Sequence, residues 1–267
     1  MDDAEAGRFD THDDFPSAFL DNRRTLTVWL PPGYEGSGDH YPVLYLHDGQ
    51  NVFDAARSAS GVSWDAHVTA ASLIRAGRLR PLILVGIDNT PQRLDEYAVH
   101  RDAAEKAGGR GESYARFVLD EVKPFVDANY RTLPDRRHTA VAGSSMGGLI
   151  SLTMARLHPE RFALCGAVSP SLWWARCREL RDAEADQAWL SRKRFWVDMG
   201  TREGGGGRDR AAVGRARRLV ASFRAAGLVQ GRDFYYWEVA GGEHHEAAWA
   251  ARFDNMLLFF FGHRPAQ

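Results

Sequence analysis

The run Val141-Ala142-Gly143-Ser144-Ser145-Met146-Gly147-Gly148 sets a serine in a Gly-x-Ser-x-Gly frame. A serine presented on a sharp strand-to-helix turn needs glycine two residues before and two after it, because a Cβ at either place collides with the turn's own backbone. The helix that follows would aim its first amides and its positive dipole end at the serine, where an oxyanion develops during acyl transfer. The chemistry this spacing supports is nucleophilic attack by Ser145 on an acyl carbonyl. Its flanks agree with that reading. Residues 139–142 have the small and β-branched character of a buried strand, and residues 149–155 continue as a helix toward His158-Pro159.

A serine hydroxyl is a weak nucleophile at neutral pH and requires a base. Among ten histidines, the pair in Gly241-Gly242-Glu243-His244-His245-Glu246 follows the last strand-like run and precedes the last helix-like one. The chain order Ser, acid, His puts the base there, as His244 or His245. His100, His138, His158 and His263 stand in polar loops or at a helix end and read as solvated side chains. The two adjacent histidines with Glu243 and Glu246 suggest a metal as an alternative. No third ligand group stands at a recognised spacing, whereas zinc takes three or four protein ligands, so neither metal nor cofactor is expected. For the acid, Glu203 is the first carboxylate beyond the strand-like run 195–199; Asp198 lies inside that run and Asp209 lies past the glycine tract. Two backbone amides would hold the oxyanion. Met146 directly follows the nucleophile, and Gln50 lies in the loop His47-Asp48-Gly49-Gln50-Asn51, where Gly49 permits close approach of the backbone.

These groups need a scaffold, and the chain supplies one. Residues 43–46, 82–87 and 139–142 are continuous apolar runs, as strands covered on both faces require. Further strand patterns at 163–168, 195–199 and 234–239 alternate with helical ones at 210–226 and 246–260. Ser113 reads as the N-cap of an amphipathic helix carrying Tyr114, Phe117, Val118, Val122, Phe125 and Val126 on one face. Residues 25–30 alternate like an edge strand and stop at Pro31-Pro32-Gly33. Strands alternating with helices predict an α/β fold with a mostly parallel central sheet. Residues 1–16 are expected to be a loose polar leader, residues 17–267 one domain, and Gly204-Gly205-Gly206-Gly207 a mobile loop.

The 267 residues carry 34 basic and 35 acidic side chains for a net charge of -1, so no global field favours nucleic acid or an anionic membrane. The acidic start and the lack of a long apolar run point to a cytoplasmic protein. Cys165 and Cys177 fall in no metal or redox spacing and read as incidental thiols.

Taken together, several segments make the chain resemble the esterase family that holds enterochelin (siderophore) esterases, feruloyl and acetyl xylan esterases, and S-formylglutathione hydrolases. They are Leu46-His47-Asp48-Gly49-Gln50-Asn51-Val52-Phe53-Asp54, Val85-Gly86-Ile87-Asp88-Asn89, Arg93 with Glu96-Tyr97, the serine turn, Ser169-Pro170-Ser171-Leu172-Trp173-Trp174, Gly200-Thr201-Arg202-Glu203 and Gly241-Gly242-Glu243-His244. The likeness covers about residues 25–261. It implies an α/β-hydrolase fold, Ser145 as nucleophile, His244 rather than its neighbour as base, and Glu203 as acid.

The resulting expectation is a metal-independent serine carboxylic ester hydrolase acting on a small-molecule ester. Trp64, Arg93, Trp173 and Trp174 are expected around its pocket, because aromatic faces and a guanidinium suit planar acyl groups such as catecholates or hydroxycinnamates. The alternatives are an acyltransferase using the same acyl-enzyme, and a noncatalytic binding protein that kept the fold.

Overall fold

Four short strands, each buried along its whole length, form the centre of the computed structural model, which describes residues 6–204 and 207–263. They are β3 (Val43–His47), β4 (Ile83–Ile87), β5 (Thr139–Ser144) and β6 (Leu164–Val168). With β1 (Arg8–Ser17), β2 (Asn22–Leu30), β7 (Arg194–Arg202) and β8 (Phe234–Glu243) they make one eight-stranded sheet in the order β1-β2-β4-β3-β5-β6-β7-β8. β1 and β2 pair antiparallel, as do β2 and β4, and all other neighbours run parallel.

Successive side chains of a strand point to opposite faces, so each central strand feeds two cores. On β3, Val43 and Tyr45 join the larger core, under α3 (Gly111–Arg116), α5 (Met146–Leu157), α6 (Trp174–Ala185) and α7 (Asp209–Ala225). Leu44 and Leu46 join the other, under α1 (Ala66–Arg75) and α8 (Glu246–Phe261). A short α2 (Arg93–Glu96) and α4 (Lys123–Asn129) complete the helices named here. Among the described residues, no helix is long and apolar enough to cross a membrane.

Three expectations need correction. Of the expected loose leader, residues 1–16, the part from Arg8 onward is strand instead: β1 begins at Arg8 and pairs with β2 from Arg8↔Leu30 to Ser17↔Asn22, and residues 1–5 lie outside the described residues. Its polarity is that of an outermost strand, with charged side chains in water and Phe15 packed on the core. β2 is therefore interior, between β1 and β4. Ser113 lies inside α3, whose N-cap is Arg110. The chain enters that helix in close contact: a Cβ on Gly111 would stand 2.6 Å from Val99 N. A π-helical turn, Phe117–Val122, links α3 to α4, re-registering the ladder just ahead of Pro124, which has no amide to donate. Of the glycine tract expected as a mobile loop, Gly205 and Gly206 lie outside the described residues, and Gly204 N–H donates to Asp209 Oδ1 at 2.6 Å.

Candidate active site

β5 passes into α5 at Ser145, whose backbone holds φ 58° and ψ -118°, a conformation costly for any residue with a Cβ. The surroundings enforce it. A Cβ on Gly143 would stand 2.9 Å from Gly147 C, so the turn closes this tightly only with glycine there. A Cβ on Gly147 would lie 3.3 Å from Asp48 Oδ2 and from His47 Cβ, which places the loop after β3 directly against the turn. Ser145 N–H donates to Val168 O at 3.0 Å, and Ser145 O accepts from Ser171 N–H at 3.0 Å.

Sheet register brings the other two groups to the serine. Arg202 on β7 pairs with Glu243 on β8, so the next residue of each strand, Glu203 and His244, emerges beside its neighbour at the sheet's carboxyl edge. His244 Nε2 lies 2.9 Å from Ser145 Oγ, and His244 Nδ1 lies 3.0 Å from Glu203 Oε2. The Glu203 side chain is only 2% exposed, the imidazole 36%. Trp249 stands edge-on to that imidazole with centroids 4.9 Å apart. His245 turns the other way: its ring accepts from Ala248 N–H and caps α8, and its Nε2 lies 3.3 Å from Glu243.

Glu203 is itself held, by residues that the sequence reading did not assign. Oε1 accepts from Gly200 N–H at 2.6 Å and from Ser169 Oγ at 2.5 Å, and Arg252 Nη2 lies 3.3 Å away. Arg252 Nη2 also reaches Ser169 Oγ at 2.5 Å, and Trp249 Nε1 donates to the same hydroxyl at 3.1 Å. The counter-charge is Asp198, fully buried on β7, whose Oδ1 accepts from Arg252 Nε at 3.0 Å and from Ser169 N–H at 3.1 Å. Trp196 Nε1 donates to its Oδ2 at 2.6 Å. Burial pushes the Asp198 carboxyl above its ordinary range, and Arg252 opposes that push. A signal for this network existed in the sequence. Asp198 interrupts an apolar strand and Arg252 sits beside Phe253, Met256 and Leu257 in the last helix, so each charge is too costly to bury without the other.

The loop after β3 is braced by a second buried pair. Arg93 binds both oxygens of Asp48, Nε to Oδ1 at 2.6 Å and Nη2 to Oδ2 at 2.7 Å, and Asn89 Nδ2 donates to Oδ1 at 2.5 Å. Burial alone would raise the Asp48 carboxyl, but Arg93 and Asn89 hold it below the usual range. Beside it, burial lowers the His47 pKa to about 3 against the pull of Asp48, leaving a neutral ring whose Nδ1 meets Tyr114 OH at 2.8 Å. Gln50 sits in the single turn Gly49–Asn51 that follows Asp48, with its side-chain Oε1 accepting from Asn89 N–H at 3.0 Å. Met146 is the first residue of α5, so its amide belongs to the orphan donors of a helix start.

A cavity of about 600 Å³ opens over these groups, with Ser145, His244, Glu203, Ser171 and Trp173 in its wall. Of the four side chains expected around a substrate, only Trp173 lines it, 43% exposed. Trp64 is buried against Trp249 and Phe253. Trp174 is buried with its Nε1 donating to His100 O at 2.7 Å, and Arg93 is occupied by Asp48. Tryptophan's large apolar surface is worth most in a core, which explains both displacements. Among the described residues one cluster has metal-ligand spacing, His100 with Glu179 and Asp182. Its charges are already paired, Glu179 with Arg156 and Asp182 with Arg178.

Residues 17–260 match the family described as Putative esterase. The chain is 25% identical to the Bacillus subtilis protein YbbA over 251 residues, covering 90% of this chain and 93% of that one. It is 32% identical over 140 residues to the iron(III) salmochelin esterase of Escherichia coli, a match covering 49% of this chain and 32% of that one. It therefore spans about a third of that relative. Among solved structures, a ferulic acid esterase superimposes with a TM-score of 0.72 at 22% identity, covering 96% of this chain and 98% of that one. An IroE-like serine hydrolase from Shewanella oneidensis superimposes at 0.76 with 18% identity, covering 95% of this chain and 80% of that one. The chain belongs to the Putative esterase family and is built on the α/β-hydrolase fold.

Proposed function

We propose that the protein hydrolyses carboxylic esters through an acyl-enzyme formed on Ser145. His244 Nε2 takes the proton from Ser145 Oγ as that oxygen attacks the ester carbonyl, and Glu203 holds the ring tautomer and stabilises the imidazolium. The N–H groups of Gln50 and Met146 receive the oxyanion. The intermediate collapses as His244 returns its proton to the departing alcohol. Water, activated by the same imidazole, then releases the acid and frees the serine.

The observation that carries this reading is the unbroken chain Glu203–His244–Ser145, with bonds of 3.0 and 2.9 Å, at the floor of an open cavity. Arg252, Ser169 and Gly200 act as positioning groups, fixing the carboxylate oxygen that does not face the imidazole. The solvent-open imidazole gives water a path to the acyl-enzyme, which favours hydrolysis over transfer to a second alcohol. For the substrate we infer an ester with a planar aromatic acyl group. Trp173 offers an exposed aromatic face in the cavity wall, and relatives in sequence and structure carry the names of siderophore and ferulic acid esterases.

The test is turnover of an ester panel, from short acyl nitrophenyl esters to feruloyl sugars and catecholate lactones, by the wild type and by Ser145→Ala. Loss of about 10⁴-fold or more in kcat, with the fold intact by circular dichroism, supports the reading. Undiminished turnover in the variant contradicts it.

A further inference from the structure

Two arginine side chains in the cavity wall have no partner among the described residues. Arg208 and Arg215 line the cavity with Ser145 and His244, and among the described residues neither side chain makes a hydrogen bond or ion pair. Three other arginines on the same helix are engaged. Arg217 is held by Glu238 with two bonds of 2.7 Å, Arg218 by Glu184 at 3.1 and 2.8 Å, and Arg224 by Gln230 at 2.9 Å. Arg210, which faces away from the cavity, also has no side-chain partner among the described residues, so what sets Arg208 and Arg215 apart is that both unpaired guanidinium groups stand in one wall beside Ser145.

The helical repeat explains how both reach one place. Arg208 caps α7, and Ala212 and Arg215 follow it by four and seven residues, so the three lie on one stripe. Ala212 also lines the cavity, and its small side chain leaves room between the two guanidinium groups. Arg215 is half-buried, and a partly desolvated guanidinium without an acceptor is a standing cost that a bound anion removes. Two carboxylates share the wall. Glu203 is held by Arg252 and faces His244, while the Glu105 side chain, on the loop before α3, has no partner among the described residues and sets one negative charge against the two positive ones.

We infer that Arg208 and Arg215 form an anion-binding subsite beside Ser145, so that the preferred substrate is an ester bearing a carboxylate or a comparable anionic group. This rests on the esterase reading above and narrows its substrate class. A planar guanidinium fork suits a carboxylate in two-bond geometry. Glu105 repels an anion from its own wall and so favours seating at α7.

The test compares matched esters that differ only in charge. Mono-4-nitrophenyl glutarate and its methyl ester place the anion on the acyl side; 4-acetoxybenzoate and its methyl ester place it on the alcohol side. For each pair the readout is the ratio of kcat/KM, anionic over neutral, which also corrects for any loss of folded enzyme. In at least one pair, Arg208→Gln/Arg215→Gln is expected to lower that ratio about tenfold, the scale of one charge-assisted hydrogen bond. Added salt is expected to lower the ratio of the wild type toward that of the variant. Arg217→Gln, whose guanidinium is held by Glu238, is expected to keep the wild-type ratio. The pair that responds identifies the side of the ester that carries the charge. Ratios equal in wild type and double variant for both pairs overturn the subsite. Calorimetric titration of Ser145→Ala with glutarate and with 4-hydroxybenzoate reads the subsite without turnover. Binding of either anion that disappears when both arginines become Gln supports the subsite even if no ester is hydrolysed; absent or unchanged binding of both overturns it. Failure of the wild type on every neutral ester counts against the esterase reading instead.

Discussion

Ser145 and His244 meet at one hydrogen bond, yet the two sides of the site hold them by different physics. On the β5–α5 side the serine is set by backbone sterics: glycines at 143 and 147, a strained φ of 58°, and a first helical turn buried in the core. On the β7–β8 side the imidazole is set by charge, with Glu203, Ser169, Arg252 and Asp198 linked in one buried network. On the first side, the turn that carries the serine has no charge of its own to titrate. The second depends on each member staying ionised or hydrogen-bonded. Damage to the first should therefore appear as misplaced geometry, and damage to the second as lost stability and an altered response to pH.

The largest effect is expected from the charged side. Arg252→Met removes the cation from a fully buried Asp198 and is expected to cost about 3–5 kcal/mol in chemical denaturation. Adding Asp198→Leu should recover much of that loss, because the stranded charge is then gone; no recovery would mean that Arg252 acts through packing. Gly143→Ala probes the steric side. Its Cβ would press on Gly147 backbone at 2.9 Å, so about 1–3 kcal/mol of stability and roughly 100-fold in kcat are expected to be lost together. A Gly143→Ala enzyme of full activity would show that the turn has slack.

His47 sharpens the contrast, because it lies beside the serine turn and yet is ionisable. Its folded pKa of about 3 lies below the ordinary 6.5, so below pH 6.5 the unfolded chain binds a proton that the folded one refuses. Stability then falls on acidification, by roughly 2 kcal/mol between pH 6.5 and about pH 5. His47→Gln should lack that component, and parallel stability profiles for the two proteins would refute it. The smallest effect belongs to the surface. Arg218→Ala, which breaks a pair with Glu184 whose side chains are 52% and 29% exposed, should shift stability by about 0.5 kcal/mol or less.

What the sequence revealed divides along the same line. The central strands were readable because burial on both faces demands unbroken apolar runs, and the serine turn because two glycines at fixed spacing have few other uses. Chain order then pointed to Glu203 and to His244 or His245 with no knowledge of their contacts, since parallel strands expose their carboxyl ends along one edge, and the family resemblance chose His244 of the two. The outermost strand was hidden, because Arg8, Asp10, His12 and Asp13 carry the polarity of a strand with water on its free edge. The pocket residues were hidden for another reason. Exposed Trp173 and buried Trp174 are adjacent and chemically identical, and only the tertiary fold decides which one faces the cavity. Asp198 and Arg252 each stand out as a charge in an apolar segment, but they lie 54 residues apart, and one-dimensional patterning does not say that they meet.

Covalent trapping tests the central claim most directly. Treatment with a fluorophosphonate, followed by peptide mass spectrometry, is expected to place one phosphonyl adduct on Ser145, with labelling abolished in Ser145→Ala and slowed at least tenfold in His244→Ala. An unlabelled Ser145, or an adduct that forms as fast without His244, would contradict the account.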